Sequence, residues 1–271
     1  MATSLEVQNL TKSYERKGQS PFVAVQGLSF EVQPGEIFGL LGPNGAGKST
    51  TINCLTGFYP PTAGNVLIEG FDIHREPKKA KQHLGVCSQE DTLDTDFDVL
   101  DQMIRYGTFY RLNRFEIVKR ARTLLETLGL MGKSNELIEN LSGGMRRKLQ
   151  VARALIANPK VLVLDEPTTG LDPDARRVLW QLLTENRKLG MATLLSTHYM
   201  EEAERLCDRI LILFEGKMLD LDTPQALIAK HIGTEIIEEE IRPGVFWKRN
   251  PNLEDVFLKL TGKSLSGGGT E

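Results

Sequence analysis

The sequence predicts an α/β fold on a mostly parallel sheet, with an N-terminal antiparallel β subdomain and an inserted α-helical subdomain. Three observations carry that prediction. Between Val161 and Phe214 short apolar runs alternate with helical segments, the pattern of parallel strands joined by crossover helices. The first forty or so residues hold strand patterns and a Pro-Gly turn. From about Val99 to Leu130 the apolar period turns helical.

The elements follow in order. Leu5, Val7 and Leu10 fit a partly alternating strand, and Leu28, Phe30 and Val32 alternate strictly. Pro34-Gly35 marks a turn. Ile37 to Leu41 is an apolar strand running straight into a glycine-rich loop, Gly42 to Gly47. Lys48 to Gly57 reads as a helix closed by glycine. Val66 to Ile68 is a strand ended by Glu69-Gly70. Ile117, Ala121, Leu124, Leu125 and Leu128 share one helical face, and Gly129 closes it. Leu141 to Ala157 is loop then helix, stopped by Asn158-Pro159 because the residue before a proline avoids the helical region. Then come a strand at Val161–Leu164, a helix from Pro173 to Leu189, a strand at Thr193–Thr197, a helix at Met200–Cys207 and a strand at Ile210–Phe214. Glu235 to Arg249 is charged and poorly periodic. Asn252 to Leu260 reads as a last amphipathic helix, and Ser264 to Glu271, rich in Gly and Ser, as loose chain.

Composition narrows the function. The chain has 271 residues, 40% hydrophobic and 25% charged, which is the make-up of a globular protein rather than a disordered one. That length allows one large or two small folded units. A net charge of −3 and a pI near 5.9 argue against a general electrostatic hold on DNA or RNA, so no nucleic acid partner is expected. No apolar run approaches the ~18 residues a membrane span needs. The N-terminus shows no basic flank followed by an apolar stretch, so no secretory signal is expected. Cys54, Cys87 and Cys207 are odd in number and far apart, as expected of free structural thiols.

Gly42-Pro43-Asn44-Gly45-Ala46-Gly47-Lys48-Ser49 matches G-x-x-x-x-G-K-[ST] at every fixed position, between an apolar strand and a helix. Glycines let consecutive backbone N–H groups turn inward, making a nest for an anion. The helix beginning near Lys48 adds its positive dipole end. The expected ligand is a nucleoside triphosphate, with Lys48 on the β- and γ-phosphates and the Ser49 hydroxyl on Mg²⁺. Thr50 joins this binding set. The fold expectation sharpens accordingly to a P-loop NTPase core.

Val161 to Leu164 ends in Asp165-Glu166. Ligands of parallel sheets bind at the carboxyl ends of strands. Asp165 is therefore expected to hold Mg²⁺ through water, and Glu166 to orient or deprotonate the attacking water. His198 follows another apolar strand and should reach the same edge, where an imidazole can hydrogen-bond a γ-phosphate oxygen or the water. A satisfied structural histidine fits that position equally. Leu141-Ser142-Gly143-Gly144-Met145 stands immediately before a helix and forms a second seat for an anion. Ser142 also fits an ordinary N-cap. One nucleotide needs one phosphate loop, so a second seat points to a second subunit or to a contact made in another state.

The motifs stand in one order: phosphate loop, Gln89, Leu141 to Met145, Asp165-Glu166, Thr169-Gly170-Leu171-Asp172, His198. In that order they resemble the ATP-binding subunits of ABC (ATP-binding cassette) transporters, from about Leu5 to Gly262. The resemblance implies a head-to-tail dimer clamping two ATP molecules, with Ser142 and Gly144 contacting the γ-phosphate held by the partner's Lys48. It implies that Tyr14 stacks on adenine, that Gln89 touches Mg²⁺ or water, and that Asp172 signals across the dimer. By itself Tyr14 is an ordinary strand or loop tyrosine. Met145 stands where glutamine is commoner, and Thr169-Gly170 where Ser-Ala is. Both variants are familiar in the branch that exports drugs, polysaccharides and lipo-oligosaccharides. Asn252 to Gly262 resembles exporters of the nodulation-factor type, although the stretch between Gly233 and Leu253 is short for them.

The expected organisation is an ATPase domain over residues 1–232, its helical subdomain at about 97–157, and a short C-terminal extension over 233–271. The expected partners are separate transmembrane permease subunits and a second copy of the ATPase, on the cytoplasmic face of the membrane. Permease helices should dock near Gln89 and the segment Phe97 to Leu130. Import instead of export stays open, because the membrane partner sets direction. An ABC-type ATPase acting on DNA or ribosomes is the rival class, and its long insertions, zinc modules and duplicated cassettes have no counterpart in this sequence.

Overall fold

In the computed structural model, which describes residues 3–242 and 245–263, the chain opens with a long antiparallel ribbon. Strands β1 (Leu5–Arg16) and β2 (Gln19–Val32) pair with β4 (Ala63–Ile68) and β5 (Phe71–Asp72) in the order β2-β1-β4-β5. Leu5, Val7 and Leu10 face inward with Leu28, Phe30 and Val32. Both strands run further than their apolar pattern indicates. The first residues of β2, Gln19 to Val23, are exposed, so no alternation betrays them.

The second sheet has six strands. They are β3 (Ile37–Leu41), β6 (Leu84–Cys87), β7 (Val161–Asp165), β8 (Ala192–Thr197), β9 (Arg209–Phe214) and β10 (Lys217–Asp222), ordered β10-β9-β3-β8-β7-β6. All pairings are parallel except that of β10 with β9. Strands β3, β7 and β8 are buried along their whole length, which is why their sequences read as unbroken apolar runs. Their side chains still divide by the period of two. Val161, Val163 and Leu194 join the core beneath the antiparallel layer, whereas Leu162, Leu164 and Leu195 join the core beneath the helices.

Helices α5 (Gly143–Leu155), α6 (Pro173–Lys188) and α7 (Met200–Leu206) cover the second face, whereas α1 (Lys48–Leu55) packs on the first, its Ile52, Cys54 and Leu55 joining the core beneath the antiparallel layer. The expected helical stretch from Val99 is two helices, α3 (Val99–Thr108) and α4 (Arg114–Thr127), with Asn113 accepting from Glu116 N at 2.8 Å to cap the second. Ile117, Ala121, Leu125 and Leu128 are buried as the spacing requires, and Leu124 packs half-buried beside them. Gly107 lets the two helices close, since a Cβ there would stand 2.8 Å from Ile117 Cγ2.

Four elements have no counterpart in the sequence reading besides β5, β6 and β10. They are α2 (Pro77–Gln82), α8 (Pro224–His231) and the hairpin of β11 (Ile237–Arg242) with β12 (Val245–Arg249). The hairpin falls in the stretch from Glu235 to Arg249 that reads as charged and poorly periodic. Helix α9 (Leu253–Thr261) lies where an amphipathic helix was expected. Asn252 and Asp255 cap its start reciprocally, and Leu253, Val256 and Phe257 enter the helical core. Ser264 to Glu271 lie outside the described residues. Among the described residues no helix is long and apolar enough to cross a membrane, and all three cysteines are buried and unpaired.

Candidate active site

The site begins where β3 ends. Gly45 and Gly47 sit at φ 80° and 107°, conformations that side chains disfavour. A Cβ on Gly47 would also stand 2.6 Å from the carbonyl of Ala24. Gly47 caps α1 without any side-chain acceptor, so the first N–H groups of that helix remain available to an anion. Asn44 and Gly45 are exposed, Ala46 is buried, and Ser49 and Thr50 are half-buried. Lys48 is buried beneath the loop. Its Nζ donates to the carbonyls of Gly42 at 2.8 Å and Pro43 at 3.1 Å, and lies 3.3 Å from Glu166 Oε1.

Glu166 stands just past β7, at φ 48°, an unusual conformation for a side-chain-bearing residue. Its N–H donates to Ser196 Oγ at 3.0 Å, and that hydroxyl donates to Asp165 Oδ1. Thr169 Oγ1 donates to Glu166 Oε2 at 3.4 Å. His198 Nδ1 lies 3.2 Å from Oε1, buried and without an aligned hydrogen bond. Burial pushes the Glu166 carboxyl up, but the neighbouring His198 ring and Lys48 ammonium more than offset it and hold it below the usual carboxylate range. The carboxylate is therefore ionised at neutral pH and is able to accept a proton.

Ser49, Gln89 and Asp165 line one cavity of about 680 Å³. Their donors are all oxygens, which suits a hard divalent cation. Among the described residues no group of three His, Cys, Asp or Glu side chains stands ready to cage a metal.

The other expected site residues sit apart from this centre. Ser142 and Gly143 are exposed and Gly144 rests near Leu171. Within the single chain Ser142 is an N-cap, its Oγ accepting from Met145 N at 3.3 Å. Among the described residues no hydrogen bond or ion pair joins this turn to the phosphate loop. Asp172 is exposed and caps α6 through Ala175 N at 2.8 Å, and that N–H holds its carboxyl below the ordinary range. Tyr14 lies on β1 with its ring edge-on to Tyr59 at 6.4 Å and Lys12 Nζ 5.1 Å from its centroid.

Two residues escaped sequence reasoning. Ser196 faces Asp165 in the β7–β8 register and ties the two strand ends together. Its position near the carboxyl end of an apolar strand, like that of His198, was the available signal. Arg147 is buried and donates to backbone carbonyls on both sides of Glu166. Nothing in the run Arg146-Arg147-Lys148 marks which of the three turns inward.

A family model described as ABC transporter matches residues 25–169. The Nod factor export ATP-binding protein I of Paraburkholderia xenovorans (strain LB400) is 39% identical, across 97% of this chain and 98% of its own length. Among solved structures, an ATP-binding subunit of an ABC transporter superposes with a TM-score of 0.82 at 27% identity, across 96% of this chain and 100% of that one. The dimeric ATP-binding cassette MJ0796, in a post-hydrolysis state bound to ADP and phosphate, gives 0.75 at 27% identity, across 81% of this chain and 98% of that one. The chain thus belongs to the ABC transporter family, as one of its ATP-binding and ATP-hydrolysing subunits.

Proposed function

We propose that this chain is the peripheral ATPase of an exporter, working as a head-to-tail homodimer beneath separate transmembrane subunits. The observation that carries the reading is the meeting of Lys48 and His198 on one carboxylate oxygen of Glu166, while Ser142 and Gly143 stand exposed, open to another subunit. Export follows the names of the relatives, which are export ATP-binding proteins.

In this reading the loop from Gly42 to Thr50 cradles the phosphates with its free N–H groups, and Lys48 leaves its loop carbonyls for the β- and γ-phosphate oxygens. Glu166 takes the proton of the attacking water and His198 steadies the γ-phosphate. Ser49, Asp165 and Gln89 would hold Mg²⁺, which when bound would neutralise charge on the phosphate oxygens. Tyr14 stacks on adenine, and the partner's Ser142, Gly143 and Gly144 complete the γ-phosphate's surroundings, with Asp172 at the dimer interface. Residues 1–232 form the ATPase unit, with a helical subdomain at about 97–157, and residues 233–271 an extension. The permease docks near Gln89 and the helices that follow it, which places the chain at the cytoplasmic face.

The test is co-expression with candidate membrane subunits, purification in detergent and measurement of phosphate release from Mg-ATP. The reading expects co-purification and turnover that depends on Lys48. ATP left uncleaved with every companion present would overturn it.

A further inference from the structure

Helix α5 begins at the exposed turn of Ser142 and Gly143 and ends against the parallel sheet. One side chain on its first turns is buried where a charge is costly, the guanidinium of Arg147. Its donors are spent almost wholly on backbone. Nε donates to the Pro167 carbonyl at 3.2 Å, and Nη2 to the Asp165 carbonyl. Nη1 donates to the carbonyls of Ser88 and, at 3.4 Å, Gln89, and to Gln150 Oε1 at 2.8 Å. The same helix grips the next loop residues: Gln150 Nε2 donates to Glu90 O at 3.0 Å, and Arg153 Nη1 to Thr92 O at 2.7 Å.

Two consequences follow. The carbonyls of Asp165 and Pro167 bracket Glu166, whose φ of 48° persists only where its surroundings over-determine it. The carbonyls of Ser88 and Gln89 belong to a loop that strand β6 releases at Cys87, so the helix is what holds Gln89 toward the cavity. We infer that Arg147 is a positioning residue for ATP hydrolysis. It clamps the Gln89 loop and the Glu166 turn to α5 as one body, so that a contact made at Ser142 is felt at the reacting water. This rests on the ATPase reading above and adds to it the part that couples the two halves of the site.

Arg147→Lys keeps the charge but not the planar fork, and a single ammonium cannot span carbonyls from two strand ends. The expected result is a folded protein whose kcat falls by about ten-fold or more, with KM for ATP within about two-fold of the parent, because only the reacting geometry is disturbed. Amide hydrogen exchange should quicken at residues 88–92 and 166–169 while the rest of the sheet stays protected. In a double-mutant cycle with Gln89→Ala the losses should not multiply, since both act through one loop. Arg147→Met leaves the carbonyls unpaired and risks misfolding, so the lysine variant carries the test. A folded Arg147→Lys with the parent's kcat, a loss confined to KM, unchanged exchange at both segments, or independent losses in the cycle would each overturn the inference. Should the parent chain itself hydrolyse no ATP, the ATPase reading falls, and the exchange comparison alone decides whether Arg147 clamps the two segments.

Discussion

Glu166→Gln changes one oxygen for one amide nitrogen and removes the group proposed to take the proton. The lowered carboxyl is fully ionised at neutral pH, so the whole population of the parent protein is competent as base. The amide accepts no proton there, and the loss should equal the contribution of general-base catalysis, about 10²- to 10⁴-fold in kcat. On the barrier that is roughly 2.7–5.4 kcal/mol. The cost in stability should be much smaller. Lys48 loses its ionic partner at 3.3 Å but keeps the Gly42 and Pro43 carbonyls, and the amide oxygen still accepts. The penalty therefore lies below the ~3–5 kcal/mol of an orphaned buried charge, at about 1–2 kcal/mol. The assay pairs phosphate release with equilibrium ATP binding and size-exclusion chromatography in ATP. Binding should persist, turnover should collapse, and an ATP-bound dimer should accumulate. A variant that hydrolyses ATP at the parent rate would refute the assignment of the base.

Two further outcomes follow from the geometry. Gly47→Ala places a Cβ 2.6 Å from the Ala24 carbonyl at φ 107°, so it should destabilise by about 2–5 kcal/mol and weaken ATP binding; denaturant unfolding and ATP titration that both match the parent would contradict this. Asp255 accepts both arms of Arg249, at 2.7 and 2.6 Å, and the Asn252 N–H at 2.9 Å, and the Arg249 hydrogen bonds hold its carboxyl below the ordinary range. Asp255→Ala should cost about 1–3 kcal/mol at pH 7. Because a lowered carboxylate stabilises above its unfolded pKa and loses that advantage as pH falls through its folded one, the gap between the two proteins' melting temperatures should close only below the ordinary carboxylate range. A gap that stays constant down to strongly acid pH would refute the attribution.

The parts of this molecule that were legible beforehand are those with local causes. Ile37–Leu41, Val161–Leu164 and Thr193–Thr197 are buried on both faces and announce themselves as apolar runs. The loop from Gly42 to Ser49 has one dominant physical use, so its pattern carries its ligand. The hairpin of β11 and β12 was invisible for the opposite reason. Its first strand, Ile237–Arg242, includes three successive glutamates, which carry no alternation of apolar and polar residues. The exposed start of β2 was hidden likewise, since a strand solvated on both faces selects no pattern.

Chemistry and its order along the chain are written in short-range constraints: glycines where the backbone must turn left-handed, a lysine at a helix start, two acids where an apolar strand stops. Which groups touch is not so written. The parallel pairing of β3, β7 and β8 brings three distant strand ends to one edge, and so sets Glu166 against both Lys48 and His198. Burial then selects Arg147 over its basic neighbours as the clamp, because its place on the inner face of α5 puts unpaired carbonyls within reach of a planar fork. Partner choice of that kind depends on long-range register and on the cost of leaving buried polar groups unmet, neither of which a stretch of residues records by itself.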